Sequence, residues 1–555
     1  MIMSEASYVT TSGGQQVLIL REGSTQSRGK RAQTNNISAA KMIAETVRTS
    51  LGPRGMDKML VDSMGDVTIT NDGATMLKEM DIQHPAAKMI VEIAKAVDNE
   101  VGDGTTSSVV LAGALLGYAE ELIEKGIHPM VIVNGYNRAA GQAKRILDDI
   151  SVKVEPRDQA TLTKVARTSM ASKMISNESA SLAALVVDGL LQVAEKTAEG
   201  AFKVDLDNLK VEKKVGGSLG ETRLIRGIIL DKEVVHSGMP KRIEKARIAL
   251  VNSALEIEKP EFDAKINISN PAQIQQFMDE ETRMLKGMVD RVVESGANVL
   301  ICQKGIDDMA QHYLAKAGIL TVRRAKESDM AKLAKATGAS VVTGLEGLTE
   351  ADLGQAGLVE ERRIEDDKWT FIEDCKNPKA VTIFVRGGSQ KVVDEVERSM
   401  HDAIMVVKDV LEKPAIVAGG GAVEEELSQR LMKWSSTLQG REQFAAEKFA
   451  EALESIPLAL AVNAGFDPID IQVELREKHG AGKMWVGVDV LGKGARDMFE
   501  KGIIEPAGVK EQIIKSATEC TCMILRIDDV IASSRKGPSL PTGGPRGPAG
   551  MEGME

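Results

Sequence analysis

Four short segments of the chain combine glycine with carboxylate or hydroxyl residues in a way that suits phosphate chemistry. Leu51-Gly-Pro-Arg-Gly55 follows a helical pattern, and Thr70-Asn-Asp-Gly73 closes an apolar alternation before another helix. Glu100-Val-Gly-Asp-Gly-Thr-Thr-Ser107 opens a helix, and Val417-Ala-Gly-Gly-Gly421 follows an apolar, strand-like run. Glycine lets backbone amides approach a ligand closely, and the first turn of a helix presents unpaired N–H groups to an anion. Gly104, Thr105, Thr106 and Ser107 would therefore offer amides and hydroxyls to a phosphate. Asp103 among them would repel a bare phosphate; it makes sense if it holds Mg2+ between the two. Asp72 and Asp402 are further carboxylates suited to orienting an attacking water, Asp402 from a long helix that returns from mid-chain. Singly, Asn71-Asp72-Gly73 reads as a turn, Asp402 as a solvated helix position and Gly419-Gly-Gly421 as a loop. No G-x-x-x-x-G-K-[ST] loop occurs. The conjunction points to nucleotide chemistry, and spacing alone does not name it.

Other reactive residue types carry less. The six histidines form no H-x-x-x-H pair, and His401 beside Asp402 has no Ser or Cys elbow to serve. Of the four cysteines, Cys520 and Cys522 stand close together, but Cys302 and Cys375 are remote and no His adjoins the pair. Packing thiols are expected there rather than a zinc site or a disulfide framework.

The elements that must position these residues fall into three textures. Up to about residue 156 the chain is mainly helical, with helices expected at Ile37–Ser50, Ala86–Asn99, Thr105–Lys125 and Pro129–Asp149. One small hairpin interrupts them, Met59–Asp62 turning back into Val67–Thr70. Beyond Pro156, helices are expected at Leu162–Ser169 and Ser179–Thr197 and a strand at Val204–Val215. From about Arg226 to Pro378 strands and helices alternate as in an α/β layer, with strands at Val234–Val235, Arg247–Val251, Val299–Cys302, Thr321–Arg324 and Ser340–Thr343. A long helix, Gln390–Leu411, leads out of that region, and Pro414–Ile531 is again mostly helical. The simplest topology is a central insertion between two helical halves, so 1–156 and 414–531 should share a core. The Gly/Pro-rich tail from Ser533 should be disordered.

Composition bounds the rest. At 555 residues the chain is too long for one core and fits about three or four domains. With 3% aromatics but 26 Met, its cores must be largely aliphatic. A net charge of −11 and no long Lys/Arg block argue against nucleic acid as the main partner. No uninterrupted apolar run reaches the roughly 18 residues of a membrane span, and the polar N-terminus lacks signal-peptide order. A cytoplasmic protein with no membrane partner is expected.

Leu51-Gly-Pro-Arg-Gly-Met-Asp-Lys58, Thr70-Asn-Asp-Gly73, Val101-Gly-Asp-Gly-Thr-Thr106 and Val417-Ala-Gly-Gly-Gly421 stand in the order found in group II chaperonins. The chain also resembles them at Cys302-Gln-Lys-Gly-Ile-Asp-Asp308, Ala310-Gln-His-Tyr-Leu314, Ala464-Gly-Phe-Asp-Pro468, Ile504-Glu-Pro506 and Ile524-Leu-Arg-Ile-Asp-Asp-Val530. The likeness covers nearly the whole chain and is strongest to subunits of the archaeal thermosome type. It implies a multidomain α+β and α/β fold: a mostly helical equatorial ATPase domain (1–156 and 414–555), a small intermediate hinge domain (157–229 and 379–413) and an α/β apical domain (230–378). The apical domain would carry a helical lid protrusion at about 256–288, where Phe277, Leu285 and Met288 have helical spacing.

The resemblance also assigns roles. Gly52, Pro53, Gly104, Thr105, Thr106 and Ser107 would hold the phosphates of ATP, Asp103 would ligate Mg2+, and Asp72 and Asp402 would position the hydrolytic water. Gly420 would lie by the nucleotide, Glu505 would take the ribose hydroxyls, Asp489 or Ile503 would line the adenine, and Lys173 would sense the γ-phosphate. K+ is a further candidate ion. Val462, where relatives often carry an acid, and the unusual loop His479–Trp485 set the base side apart. The activity implied is ATP-driven folding of non-native polypeptides inside a double ring of this chain or its paralogues, with prefoldin a candidate partner. Hairpin Met59–Thr70 and a late strand at Met523–Asp529 would join neighbouring subunits. The competing readings are a nucleotide-dependent metabolic phosphotransferase and a ring scaffold without turnover. Mid-chain shows no constellation for the former, and the retained Asp72, Asp103 and Asp402 speak against the latter.

Overall fold

The computed structural model describes residues 8–10, 16–18, 25–171, 178–198, 201–257, 271–376, 378–492 and 494–532. The expected tail from Ser533 lies outside them, as does most of the non-helical part of the expected lid.

Helices Gly29–Arg48, Pro85–Val101, Thr105–Glu124, Pro129–Ile150, Glu442–Leu453 and Ala507–Leu525 pack together, drawing on both ends of the sequence. Two are started alike: His84 and His128 each precede a proline, and their Nδ1 atoms accept from the N–H of Ala86 and Met130 at 3.2 Å. Proline is preorganised for the first helical position and a side-chain acceptor satisfies a free amide. Helix Pro85–Val101 stops at Gly102, whose φ of +70° an L side chain rarely adopts. By length and composition Thr105–Glu124 is apolar enough to cross a membrane. It packs instead against Gly29–Arg48, Pro85–Val101, Glu442–Leu453 and Ala507–Leu525, with Val109, Leu111, Leu115 and Leu116 buried, as the central helix of a core. Strand Ala415–Ala418 lies between Val152–Lys153 and Ile504–Pro506, antiparallel to both.

That core is continuous with a second group of elements, helices Gln159–Met170, Ser179–Val193 and Gln390–Glu412 against the sheet Arg223–Ile225, Val381–Gly387, Leu209–Val215. A separate core, with Leu250, Ile301, Leu314 and Leu333 at its centre, belongs to residues 228–380. Its seven-stranded sheet runs Ile228–Leu230, Asp367–Glu373, Gly354–Ile364, Arg242–Val251, Val299–Cys302, Leu320–Val322, with Val341–Val342 beside Arg242–Val251. Arg242–Val251, Val299–Cys302 and Leu320–Val322 are parallel, as the alternation of strand and helix requires.

Several sequence expectations need correction. Val234–Val235 is not a strand: its amides are taken by Glu361 Oε2 and the Thr321 carbonyl, and the strand is Ile228–Leu230. The expected strand Val204–Val215 begins with a tight turn at Leu206–Asn208 and is extended from Leu209. The helix from Ser179 ends at Val193, and Glu195–Lys196 is extended. Met523–Leu525 belongs to helix Ala507–Leu525, because Cys522, Ile524 and Leu525 still face the core. The late strand is Asp529–Ala532, paired with Thr25–Arg28. Hairpin Lys58–Val61 with Val67–Thr70 forms as expected. The four cysteines are buried thiols, and burial pushes Cys520 up to about 12, in keeping with packing rather than reactivity.

Candidate functional site

Gly102 and Gly104 bracket the turn before helix Thr105–Glu124, both with positive φ. Within it the Gly104 N–H donates to Asp103 Oδ1 at 2.6 Å. The helix has Gly104 at its N-cap and no side-chain cap, so its first-turn amides face outward with the Thr106 and Ser107 side chains half-exposed. This is an anion cradle at the positive end of an apolar helix.

Two carboxylates close on that cradle. Asp72 N-caps helix Gly73–Glu79, its Oδ2 accepting from Thr75 N at 2.8 Å, and that bond fixes the carboxylate. A Cβ on Gly73 would stand 2.5 Å from Thr106 Oγ1 and 3.0 Å from Thr106 N, so the Asp72 turn lies directly on the helix start. On the other flank, a Cβ on Gly102 would strike the Met405 side chain and come within 3.7 Å of Asp402 Cα. Helix Gln390–Glu412 therefore crosses the turn with Asp402, 7% exposed, facing inward. The turns and helix that carry Asp72, Asp103 and Asp402, scattered in sequence, thus meet at the start of helix Thr105–Glu124.

The other glycine loops complete it. The Leu51-Gly52-Pro53 loop is held by Asn463, whose Nδ2 donates to the Arg48 and Leu51 carbonyls at 3.0 and 2.9 Å. Leu51 packs with Leu460, Val486 and Val488, which carries the contact across to the loop Gly419–Gly421. There the Val488 N–H donates to the Gly420 carbonyl at 2.8 Å, and a Cβ on Gly419 would be 2.6 Å from Glu505 Oε1 and 3.1 Å from Ile503 Cγ2. Asp489 turns into its own bend: Oδ1 accepts from Gly492 N at 2.9 Å and Oδ2 pairs with Lys501 at 3.3 Å. Burial alone would raise its carboxyl, but these partners and Arg496 hold it below its ordinary value. Of the two residues expected to line a base, Asp489 thus has its carboxylate engaged by its own loop, while the Ile503 carbonyl accepts from Gly419 N at 3.0 Å. Lys173 lies outside the described residues; the helix before it is tied in by Thr168 Oγ1, which accepts from Ile504 N at 3.3 Å.

Lys510 was not expected. Its buried Nζ lies 2.8 Å from Glu424 Oε1 and 2.6 Å from Glu505 Oε2. Burial raises the Glu505 carboxyl, Lys510 opposes that, and Glu424 and Asp103 raise it further. Among the described residues no group of three or more His, Cys, Asp or Glu could hold a metal ion. A hard cation at Asp103 would draw its remaining ligands from phosphate and water, which is the usual habit of Mg2+. The donor set fits. A cavity of about 530 Å³ between helices Gly29–Arg48 and Thr105–Glu124 lies elsewhere; Glu45, Glu120, Glu121, Glu451 and Glu454 on its walls suit no phosphate.

Farther along the helix that carries Asp402, Asp409 packs against Gly508 at the start of helix Ala507–Leu525. Its Oδ2 has no hydrogen-bond partner among the described residues, and burial pushes its carboxyl up to about 6, with Lys413 opposing and Glu412 and Glu511 adding. Because the folded value lies above the unfolded one, its stabilising contribution is full below about pH 4 and lost as pH rises through about 6. Two units correspond to about 3 kcal/mol. Asp409→Asn should therefore melt above the parent at pH 7.5 and with it at pH 4; parallel melting curves at both pH values would contradict this.

The chain matches the model of the TCP-1/cpn60 chaperonin family over residues 43–535. It is 57% identical over 540 residues to the thermosome subunit alpha of Archaeoglobus fulgidus, covering 97% of this chain and 99% of that protein. It is 57% identical over 522 residues to the thermosome subunit of Pyrococcus abyssi, covering 94% and 95%. It is 54% identical over 528 residues to the thermosome subunit alpha of Sulfolobus acidocaldarius, covering 93% and 95%.

Proposed function

The chain belongs to the TCP-1/cpn60 chaperonin family and is an ATP-dependent chaperonin, and from that premise we propose that the glycine-lined cluster is where it binds and hydrolyses ATP. The observation that carries the site is the uncapped start of helix Thr105–Glu124, flanked by Asp72 on one side and the Asp402 helix on the other.

In this reading the amides and hydroxyls of Thr105, Thr106 and Ser107 take the phosphates, with Gly52–Pro53 closing over them and Lys173 sensing the γ-phosphate. Asp103 holds Mg2+, which when bound supplies positive charge against the phosphate oxygens. Asp72, fixed by its own capping bond, and Asp402, delivered by the long helix Gln390–Glu412, orient the attacking water as general bases. Gly420, Ile503 and Glu505 face the nucleoside, with Asp489 shaping the neighbouring bend.

The separate core of residues 228–380 supports an apical part distinct from the rest. Residues 1–156 and 414–555 act as the equatorial ATPase, 157–229 and 379–413 as the hinge, and 230–378 as the apical part that meets unfolded clients. Helix Pro271–Glu294 supports a lid. Leu285, Val289 and Val292 anchor its C-terminal half in the apical core, while Phe277, Met278 and Met284 remain 47, 56 and 49% exposed. An apolar surface of that kind suits intermittent contact with clients or with neighbouring lids. Two-stranded pairs at Thr25–Arg28 with Asp529–Ala532, and at Lys58–Thr70, offer edges for joining subunits into a ring.

The direct test is Asp103→Ala. Calorimetry at limiting Mg2+ should show ATP affinity weakened by about tenfold or more, since phosphate loses a protein-held cation. Unchanged affinity would remove Asp103 from the site.

A further inference from the structure

The segment His479–Trp485 is unusual in sequence, and its first residue, next to last in helix Pro468–Gly480, is fully enclosed: the His479 side chain is 0% exposed. Nδ1 lies 2.7 Å from Glu426 Oε2 and Nε2 lies 2.7 Å from the Val486 carbonyl oxygen. Both contacts are at hydrogen-bond distance, so the ring bridges the two partners through its two nitrogens. Burial pushes the Glu426 carboxyl up, yet His479 and Arg430 outweigh that and leave it below its ordinary value. Glu426 bonds the ring directly, Glu425 on the same helix feels its charge, and Arg430 pairs with the other Glu426 oxygen.

What this ring joins is the point. Glu426 stands in the helix that begins at the Gly419–Gly421 loop. Val486 begins strand Val486–Val488, which pairs with Ala495–Asp497 and whose Val488 N–H donates to Gly420. Helix Pro468–Gly480, which carries His479, also grips the second strand, Lys478 Nζ donating to the Ala495 carbonyl at 2.6 Å and Glu474 Oε2 accepting from Ala495 N at 3.1 Å. Trp485 leans on Phe499, with ring centroids 5.4 Å apart, and its carbonyl takes the N–H of Met498, the residue against Gly420.

We propose that His479 is a positioning residue: bridging Glu426 and the Val486 carbonyl through its two ring nitrogens, it pins strand Val486–Val488 against the Gly419–Gly421 loop and so sets the nucleoside-side wall of the ATP site. This rests on the reading of that loop as nucleotide-binding. The residue touches no substrate and acts through the hairpin.

The test uses the full chain in two variants. His479→Gln keeps one donor and His479→Phe keeps ring volume with none; Glu426→Gln, which weakens one contact while leaving the ring, covers a failure of either to fold. Amide hydrogen exchange without nucleotide should quicken by about tenfold or more in residues 486–497 and stay unchanged in helix Thr105–Glu124. ATP turnover should show KM raised about fivefold with a much smaller change in kcat, because the phosphate-side carboxylates are untouched. Unchanged hairpin exchange in folded variants overturns the clamp. Faster exchange with an unchanged KM upholds the clamp and overturns the nucleotide reading of the loop it supports.

Discussion

Asp402→Ala should bind ATP nearly as well as the parent and turn it over about 10²-fold or more slowly. The affinity is preserved because phosphate contacts come from the helix start and from Gly52–Pro53, none of which the substitution touches. Turnover falls because the water loses one of its two orienting carboxylates, and a positioned base contributes that much. Asp402 also sits where helix Gln390–Glu412 crosses Gly102, with Met405 filling the contact. A side effect on packing would therefore appear in Met405→Ala as well, and comparing the two separates chemistry from support. Steady-state ATPase near the parental rate in Asp402→Ala, with binding measured by calorimetry, would refute the role. The helix bearing Asp402 also packs against the sheet Leu209–Val215 and Val381–Gly387, so a rotation of that sheet would move the carboxylate relative to the helix start.

The chemistry-bearing loops were legible because glycine beside Asp and Thr at a helix start is a local signal. Gly102–Ser107 and Asn71–Gly73 needed no neighbour to be noticed. Their convergence was not legible from spacing, since the contact of Gly73 with Thr106 and of Gly102 with Met405 depends on how three helices meet. Asn463 and His479 were passed over for the same reason: each looks like a helix-end polar residue until its partners, the Leu51 loop and the Glu426–Val486 pair, arrive from elsewhere.

The fold divides in the same way. Helices with buried positions at 3–4 spacing, such as Ala86, Ala87, Ile90, Val91, Ala94 and Val97, were read nearly to their ends. The ribbon Gly354–Ile364 with Asp367–Glu373 escaped because Glu360, Glu361, Arg362 and Arg363 break its apolar alternation. Arg362 reaches both Glu373 oxygens across the ribbon at 2.8 and 2.6 Å, while Glu360 and Glu361 pair with Arg242 and Lys241, so a strand reads as a polar stretch. Helix Gly29–Arg48 began eight residues before the expected Ile37, since Gly29–Asn36 is polar and gives periodicity little to act on.

Lys510→Met should be the most destabilising single change at the site. Lys510 looks in sequence like one more helix-surface lysine of Ala507–Leu525, yet its side chain is 6% exposed and meets Glu424, 4% exposed, and Glu505. Burial alone would lower its ammonium, but the two carboxylates hold it well above its ordinary value. Removing the cation leaves two carboxylates facing each other in a dry site, and stripping one partner from a buried pair costs about 3–5 kcal/mol. Two further readouts identify the cause. Adding Glu424→Gln should recover much of the loss, giving a double mutant far more stable than the sum of its parts. Acidification should also narrow the gap, because burial and the remaining carboxylate favour protonated Glu505 once Lys510 is absent. ATP affinity should fall too, since Glu505 lies against Gly419 and would swing from the loop when unpaired. Thermal melts with Lys510→Met indistinguishable from the parent at neutral pH would mean that the triad carries no such strain, and would free Glu505 from the placement argued for it.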